Sequence, residues 1–160
     1  MEKLNIVIRV ANFEDLEEIV GVRMDNAIYH ANLSEAYKVK KEAYSFMEKH
    51  SKMMISNENS IIFLAEINKK IVGYAIGILK GQHPIFELPK IAFIEDIFIS
   101  IDHQNKGIGK ELIKALQSWF KKTGVGRIEL KVFNLNKNGI QFWEKMGFNC
   151  DMLGMTKSIK

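Results

Sequence analysis

Glu95 and Asp96 stand side by side in a run, residues 91–101, that is otherwise apolar and largely β-branched apart from Ser100. A carboxylate in such a run is paired, hydrated or functional, because burying it alone is costly. Alternation along a strand would send the two side chains to opposite faces. Residues 102–109 then form a polar turn with two glycines, Gly107 and Gly109. From Lys110 an amphipathic helix follows, with Leu112, Ile113, Leu116 and Phe120 on one face. A strand, a glycine turn and a helix in that order aim unpaired backbone N–H groups, and the positive end of a helix dipole, at one small volume. That volume suits an anion, most often a phosphate.

Two phosphate loops are tested by spelling. A P-loop needs Gly-x-x-x-x-Gly-Lys and then Ser or Thr. Here Gly109-Lys110 is followed by Glu111, and Gln104 holds the place of the first glycine. The dinucleotide fingerprint needs Gly-x-Gly-x-x-Gly, and its third glycine position holds Leu112. What remains is Gln104-Asn105-Lys106-Gly107-Ile108-Gly109. This resembles the pyrophosphate loop of the GNAT superfamily of acetyl-CoA-dependent N-acetyltransferases, which reads Arg or Gln, x, x, Gly, x, Gly or Ala. Downstream, Asn136-Lys137-Asn138-Gly139-Ile140-Gln141-Phe142-Trp143-Glu144-Lys145-Met146-Gly147-Phe148 is similar to the family's Asn-x-x-Ala-x-x-Phe-Tyr-x-x-x-Gly-Phe segment. It departs twice. Gly139 replaces the usual Ala, a change expected to leave close packing intact, and Trp143 replaces the usual Tyr.

The resemblance implies a chemistry and its residues. Acetyl-CoA would be the cosubstrate and an amine the acceptor. Residues 104–110 would cradle the pyrophosphate, mostly through backbone, with Lys106 or Lys110 adding charge. The backbone of Ile97, Phe98 and Ile99 would bond the pantetheine arm or polarise the thioester carbonyl. Asn136 would hydrogen-bond the same arm. An alkylammonium, with a pKa of about 10.4, must lose a proton before it attacks. Glu95 falls where many family members carry the base, in a Glu-Asp segment resembling that of diamine acetyltransferases; Asp96 is expected to be structural. Trp143 occupies the place of the acid that protonates the departing thiolate, and an indole N–H is a hydrogen-bond donor only. A thiol with a pKa near 8.5 can leave as thiolate at pH 7 for about 2 kcal/mol. Three functions stay open: acetylation of a small amine, acetylation of a protein amino group, and non-catalytic binding of an acyl-CoA.

The elements that must position these residues read in order. Residues 5–10 alternate as a first strand. Asn12, with Asp15 three residues on, caps a helix through Leu16, Ile19, Val20, Arg23 and Ala27. Residues 29–33 are expected as a connection and 35–54 as a second helix. Residues 61–67 and 71–79 are strands joined by a turn at Asn68, Lys69 and Lys70. Within the second, Gly73 and Gly77 permit a bulge or a close backbone approach. Residues 81–89, with both prolines, form a loop placed near the site. Residues 127–133 alternate as a strand, Asn136 caps a short helix to Met146, and 148–159 close the sheet with one or two strands. The order β-α-α-β-β-β-α-β-α-β is an α/β domain with a mixed sheet, expected to be a single domain over 1–160. The family resemblance makes 91–101 and 127–133 parallel strands that splay apart around the pantetheine arm.

Composition sets further bounds. The 160 residues are 47% hydrophobic and 26% charged, which suits one domain with a real core. The single cysteine, Cys150, excludes an internal disulfide and a cysteine-based zinc cluster, and is expected in a buried or half-buried strand. No two of the four histidines stand at metal-binding spacing, so no metal is expected; His83 is a solvated loop residue. The net charge of +4 is spread along the chain, which disfavours nucleic acid as a partner. No apolar run approaches the roughly 20 residues that span a bilayer, and the N-terminus lacks a signal-peptide pattern. A cytoplasmic location without membrane contact is expected. The family's habit makes a homodimer through the C-terminal strand or the sheet edge a reasonable expectation. The acceptor pocket is assigned to 24–55 and 80–90, where no motif names the acceptor.

Overall fold

The computed structural model describes residues 5–159, so residues 1–4 and 160 of the expected domain lie outside the described part. One five-stranded sheet runs in the order β1 (Ile6–Val10), β2 (Ser60–Ile67), β3 (Lys70–Gly81), β4 (Ile91–Ile99) and β5 (Arg127–Leu130). β1 to β4 pair antiparallel, and β4 pairs parallel with β5. The helices are α1 (Leu16–Leu33), α2 (Ala43–Ser56), α3 (Ile108–Lys122) and α4 (Lys137–Lys145). This is the expected mixed α/β architecture, in the expected order through α4.

Each face of the sheet carries its own core. Ala65, Ala75, Ala92 and Ile94 meet Ile108, Leu112, Ile113, Leu116 and Phe120 of α3, together with Trp143 of α4. On the opposite face Ile62, Leu64, Tyr74, Ile76 and Phe98 meet Ile19 and Val22 of α1 and Met54 of α2. Burying each such large side chain contributes about 1.5–3 kcal/mol. Gly77 lets α3 lie directly on β3: a Cβ there would stand 2.7 Å from Leu116 Cδ2 and 2.8 Å from Phe120 Cζ. Gly73 likewise admits β4, since its Cβ would meet Ile99 Cδ1 at 2.7 Å.

The parallel pair separates early. Its ladder runs only from Ile91↔Arg127 to Ile94↔Leu130, and β4 continues to Ile99 alone. The strand expected over 127–133 therefore stops at Leu130, because residues beyond it have no ladder to join.

Several expected boundaries move. α1 continues through the expected connection to Leu33. α2 starts only at Ala43. Ser34 instead caps a single 3-10 turn, its Oγ accepting from Ala36 N at 3.3 Å. The lysine-rich stretch 38–42 is wholly exposed, with no apolar face to pack as a helix. The β2–β3 turn is two residues, Asn68 and Lys69, both with positive φ (52° and 65°), and Lys70 already belongs to β3. The closing strand over 148–159 does not form. Beyond Phe148, which packs on Trp143, its apolar residues find nothing to cover, with Met152, Leu153 and Met155 at 76%, 85% and 93% exposure. Cys150, expected in that strand, is exposed. The 82–90 loop joins the Gly81–Ile91 end of the hairpin, away from the 100–109 turn. There His83 Nδ1 accepts from the backbone of Ile85 and Phe86, each at 3.2 Å. Among the described residues no helix is long and apolar enough to cross a membrane.

Candidate active site

The acidic pair sits on a β-bulge. Asp96 faces Ile76 and Ile94 faces Gly77, so Glu95 is an extra residue in β4. The bulge reverses the alternation. Ile94 packs on the α3 side before it, Ile97 and Ile99 do so after it, and Phe98 packs on the α1 side. Glu95 and Asp96 consequently both face α1 and α2, which corrects the expectation of opposite faces.

Their surroundings differ. Tyr74 Oη donates to Asp96 Oδ2 at 2.6 Å, while Asn26 Nδ2 lies 2.8 Å from Asp96 Oδ1 and 3.0 Å from Tyr74 Oη. Burial pushes the Asp96 carboxyl above its ordinary value, against the opposing pull of Tyr74 and Arg23. Burial, and then Asp96 itself, push the Tyr74 phenol well up. Asp96 thus ties α1, β3 and β4 together. Glu95 keeps 28% of its side chain exposed, with Oε1 standing 3.3 Å from His50 Nε2 of α2.

Where β4 and β5 part, a cleft of about 340 Å³ opens. Ile97, Phe98 and Ile99 line it from β4, and Asn136, Phe142 and Trp143 from α4 and its cap. Gln104, Asn105, Gly107, Ile108, Gly109 and Lys110 line it from the turn and the start of α3. On the edge that faced β5, the amides of β4 past Ile94 have no strand partner. Gly107, at φ 81°, begins α3 in a conformation that favours glycine. Glu111 N closes on Gly107 O at 3.2 Å, so the amides of Ile108, Gly109 and Lys110 precede the first helical bond. They point out of the N-terminal end of a 15-residue helix. A Cβ on Gly109 would stand 3.2 Å from the Phe142 ring, so this glycine lets α4 close on α3.

Two turn side chains are engaged internally. Gln104 Nε2 donates to Ile99 O at 3.0 Å, and Lys106 Nζ donates to Asp102 O at 2.7 Å. Lys106 does not line the cleft, whereas Lys110 does. Glu95 is two residues from Ile97 along β4 but is not on the cleft wall, and neither is the 82–90 loop.

Asn26, Tyr29 and His30, from the 24–55 stretch assigned to the acceptor, line the cleft, and so does His103, which no sequence signal marked. Tyr29 Oη donates to Asn136 Oδ1 at 3.3 Å, which also accepts from Gly139 N at 2.9 Å and so caps α4. A Cβ on Gly139 would stand 2.7 Å from Asn136 Nδ2, so the glycine is what allows this pose of Asn136. His103 Nδ1 is buried and has no hydrogen-bond partner among the described residues. Trp143, 7% exposed, meets Phe142 and Phe148 edge-on at 5.0 and 5.2 Å. The signal for Tyr29 was the polar and aromatic tail of α1, which reads as a connection when its helical continuation is not seen.

A mixed sheet split at its parallel pair, with a glycine turn and a helix N-terminus at the split, is a fold shared with solved acetyltransferases. An aminoglycoside N-acetyltransferase solved with CoA superposes with a TM-score of 0.79 at 17% identity, covering 99% of this chain and 97% of that one. A tetramutant protein of Bacillus halodurans superposes at 0.86 with 21% identity, covering 96% and 99%. Residues 26–148 match the Acetyltransferase (GNAT) family, and the chain belongs to that family. An L-ornithine N5-acetyltransferase of Arabidopsis thaliana is 33% identical over 103 residues, 64% of this chain and 45% of that protein. An uncharacterized N-acetyltransferase of Methanocaldococcus jannaschii is 29% identical over 152 residues, 92% of this chain. The chain spans 64% of that second relative.

Proposed function

We propose that this chain moves the acetyl group of acetyl-CoA to a primary amine of a small molecule, by direct attack in a ternary complex. The observation that carries this is the split between β4 and β5, with the free amides of α3 at one end and a carboxylate bulge beside it. The cleft fits the cosubstrate. Ile108, Gly109 and Lys110 offer N–H groups to a pyrophosphate, Lys110 adds positive charge, and the unpaired edge of β4 offers backbone partners to an amide-bearing arm. Asn136 lies across from that edge, within reach of the same arm.

Bound acetyl-CoA supplies the acyl group as an activated thioester. Backbone N–H groups of the segment holding Ile97, Phe98 and Ile99 would polarise its carbonyl. Glu95, directly or through one water, takes the proton that the ammonium must lose before attack; the neutral nitrogen then bonds to the carbonyl carbon, and its second proton passes to solvent as the carbon–sulfur bond breaks. The sulfur leaves as thiolate, which needs no acid from Trp143. Trp143 instead shapes the cleft wall, packed between Phe142 and Phe148. The named acceptors of the relatives, ornithine and aminoglycosides, are amine-rich, which supports a small cationic acceptor.

Glu95→Gln tests the reading. A loss of about 10²-fold or more in kcat, with acetyl-CoA affinity within about two-fold, is expected for a general base. An unchanged kcat overturns the role of Glu95. Acetyl-CoA binding without turnover in the wild type would instead favour a binding module, the reading that Trp143 in the tyrosine position keeps alive.

A further inference from the structure

The Glu95 bulge is braced from α2 through a buried arginine. Arg23 of α1 is 7% exposed, and its Nη1 donates to Ser51 Oγ at 2.9 Å. The same nitrogen lies 3.1 Å from His50 Nδ1. A guanidinium carries only donors, so His50 Nδ1 must accept. The imidazole hydrogen then sits on Nε2, the atom 3.3 Å from Glu95 Oε1. The ring is 15% exposed and stacks on Phe46 with centroids 5.9 Å apart.

This arrangement leaves His50 without a lone pair for a substrate proton, since Nδ1 faces Arg23 and Nε2 carries the hydrogen. Its influence must run through Glu95. Glu95 is also the β4 residue that the ladder does not hold in register, so its carboxylate depends on contacts from outside the sheet for its aim. Oε1 has the His50 contact, and Oε2 is buried with no hydrogen-bond partner among the described residues, so His50 is the one side chain here that holds the carboxylate.

We infer that His50, locked in its Nε2–H tautomer by Arg23, is the positioning residue that holds Oε1 and so aims the Glu95 carboxylate. This rests on the reading of Glu95 as the base. Glutamine at position 50 would reproduce the pattern, its carbonyl accepting from Arg23 and its amide donating to Glu95. Leucine would not.

The test compares His50→Leu, His50→Gln, Glu95→Gln and the His50→Leu/Glu95→Gln double variant by kcat, by acetyl-CoA Kd from calorimetry and by thermal unfolding. His50→Leu is expected to lower kcat about 10- to 100-fold, the cost of a misplaced catalytic group, with Kd unchanged. His50→Gln should recover kcat to within about three-fold of wild type, and the double variant should be no slower than Glu95→Gln. Full activity in Glu95→Gln would overturn the base reading. Glu95→Gln inactive beside a fully active His50→Leu would overturn the positioning role alone. If His50→Leu does not fold, long-range 1H–15N correlations of the wild-type imidazole decide: the Nε2–H pattern supports the inference, and an Nδ1–H pattern refutes it.

Discussion

Gly139→Ala separates the helix-capping role of Asn136 from its proposed contact with the cosubstrate. The added methyl would stand 2.7 Å from Asn136 Nδ2, 2.9 Å from Cγ and 3.1 Å from Oδ1. These are side-chain atoms, so Asn136 swings away and the backbone stays. Swinging breaks the cap to Gly139 N and the bond from Tyr29. Loss of an N-cap costs about 0.5–2 kcal/mol. Replacing glycine by alanine inside a helix returns about 1 kcal/mol. With the long 3.3 Å Tyr29 bond counted at about 0.5 kcal/mol, the net loss of stability in urea unfolding should be about 0–1.5 kcal/mol. Acetyl-CoA affinity has no such offset. One neutral hydrogen bond is worth about 0.5–1.5 kcal/mol, so Kd by calorimetry should rise about 2- to 13-fold. An unchanged Kd at unchanged stability would refute the assignment of Asn136 to the cosubstrate.

Further outcomes follow from the same geometry. Gly77→Ala drives a methyl into Leu116 and Phe120 and should destabilise the fold by about 1–3 kcal/mol in urea unfolding, without a change in m. Trp143→Tyr should lower stability by a similar amount while changing kcat by less than about three-fold; a large gain in kcat would show that leaving-group protonation limits the reaction. Arg9 grips Asp15 through two bonds of 2.7 and 2.6 Å and holds its carboxyl below the ordinary 3.8. The unfolded chain therefore binds more protons in that window, and stability rises with pH through it. Asp15→Asn should cost about 1 kcal/mol near neutral pH, and the gap should close as pH falls below 3.8. A gap independent of pH would refute the ion pair as its source.

What the sequence disclosed, and what it withheld, follows from the range of the interactions involved. The 104–109 turn was legible because glycine spacing and helix periodicity are local, and the structure forms that turn with Gly107 at positive φ. Asn12 and Asp15 form the expected capping box, again a contact across three residues. The splay of β4 and β5 followed from the resemblance, and the ladder ends at Ile94 and Leu130. The common face of Glu95 and Asp96 was hidden, since alternation in β4 itself gives no sign of a bulge. The sign lay in the neighbouring strand, where Gly77 stands at the register shift. The roles of Tyr29, Arg23 and His50 were not legible because each depends on a partner at least 27 residues away. The missing closing strand shows the same limit in reverse: residues 148–159 have strand-like composition, and no neighbour pairs with them among the described residues.

Thiol release from acetyl-CoA, followed with the purified chain across ornithine, polyamines, aminoglycosides and lysine peptides, tests the proposed transfer most directly. Amine-dependent release with one or more of the small cationic amines is the predicted result. Acetyl-CoA bound without release from any amine, or release with lysine peptides alone, would contradict the proposed transfer to a small amine. A failure to bind acetyl-CoA at all would contradict the cleft itself.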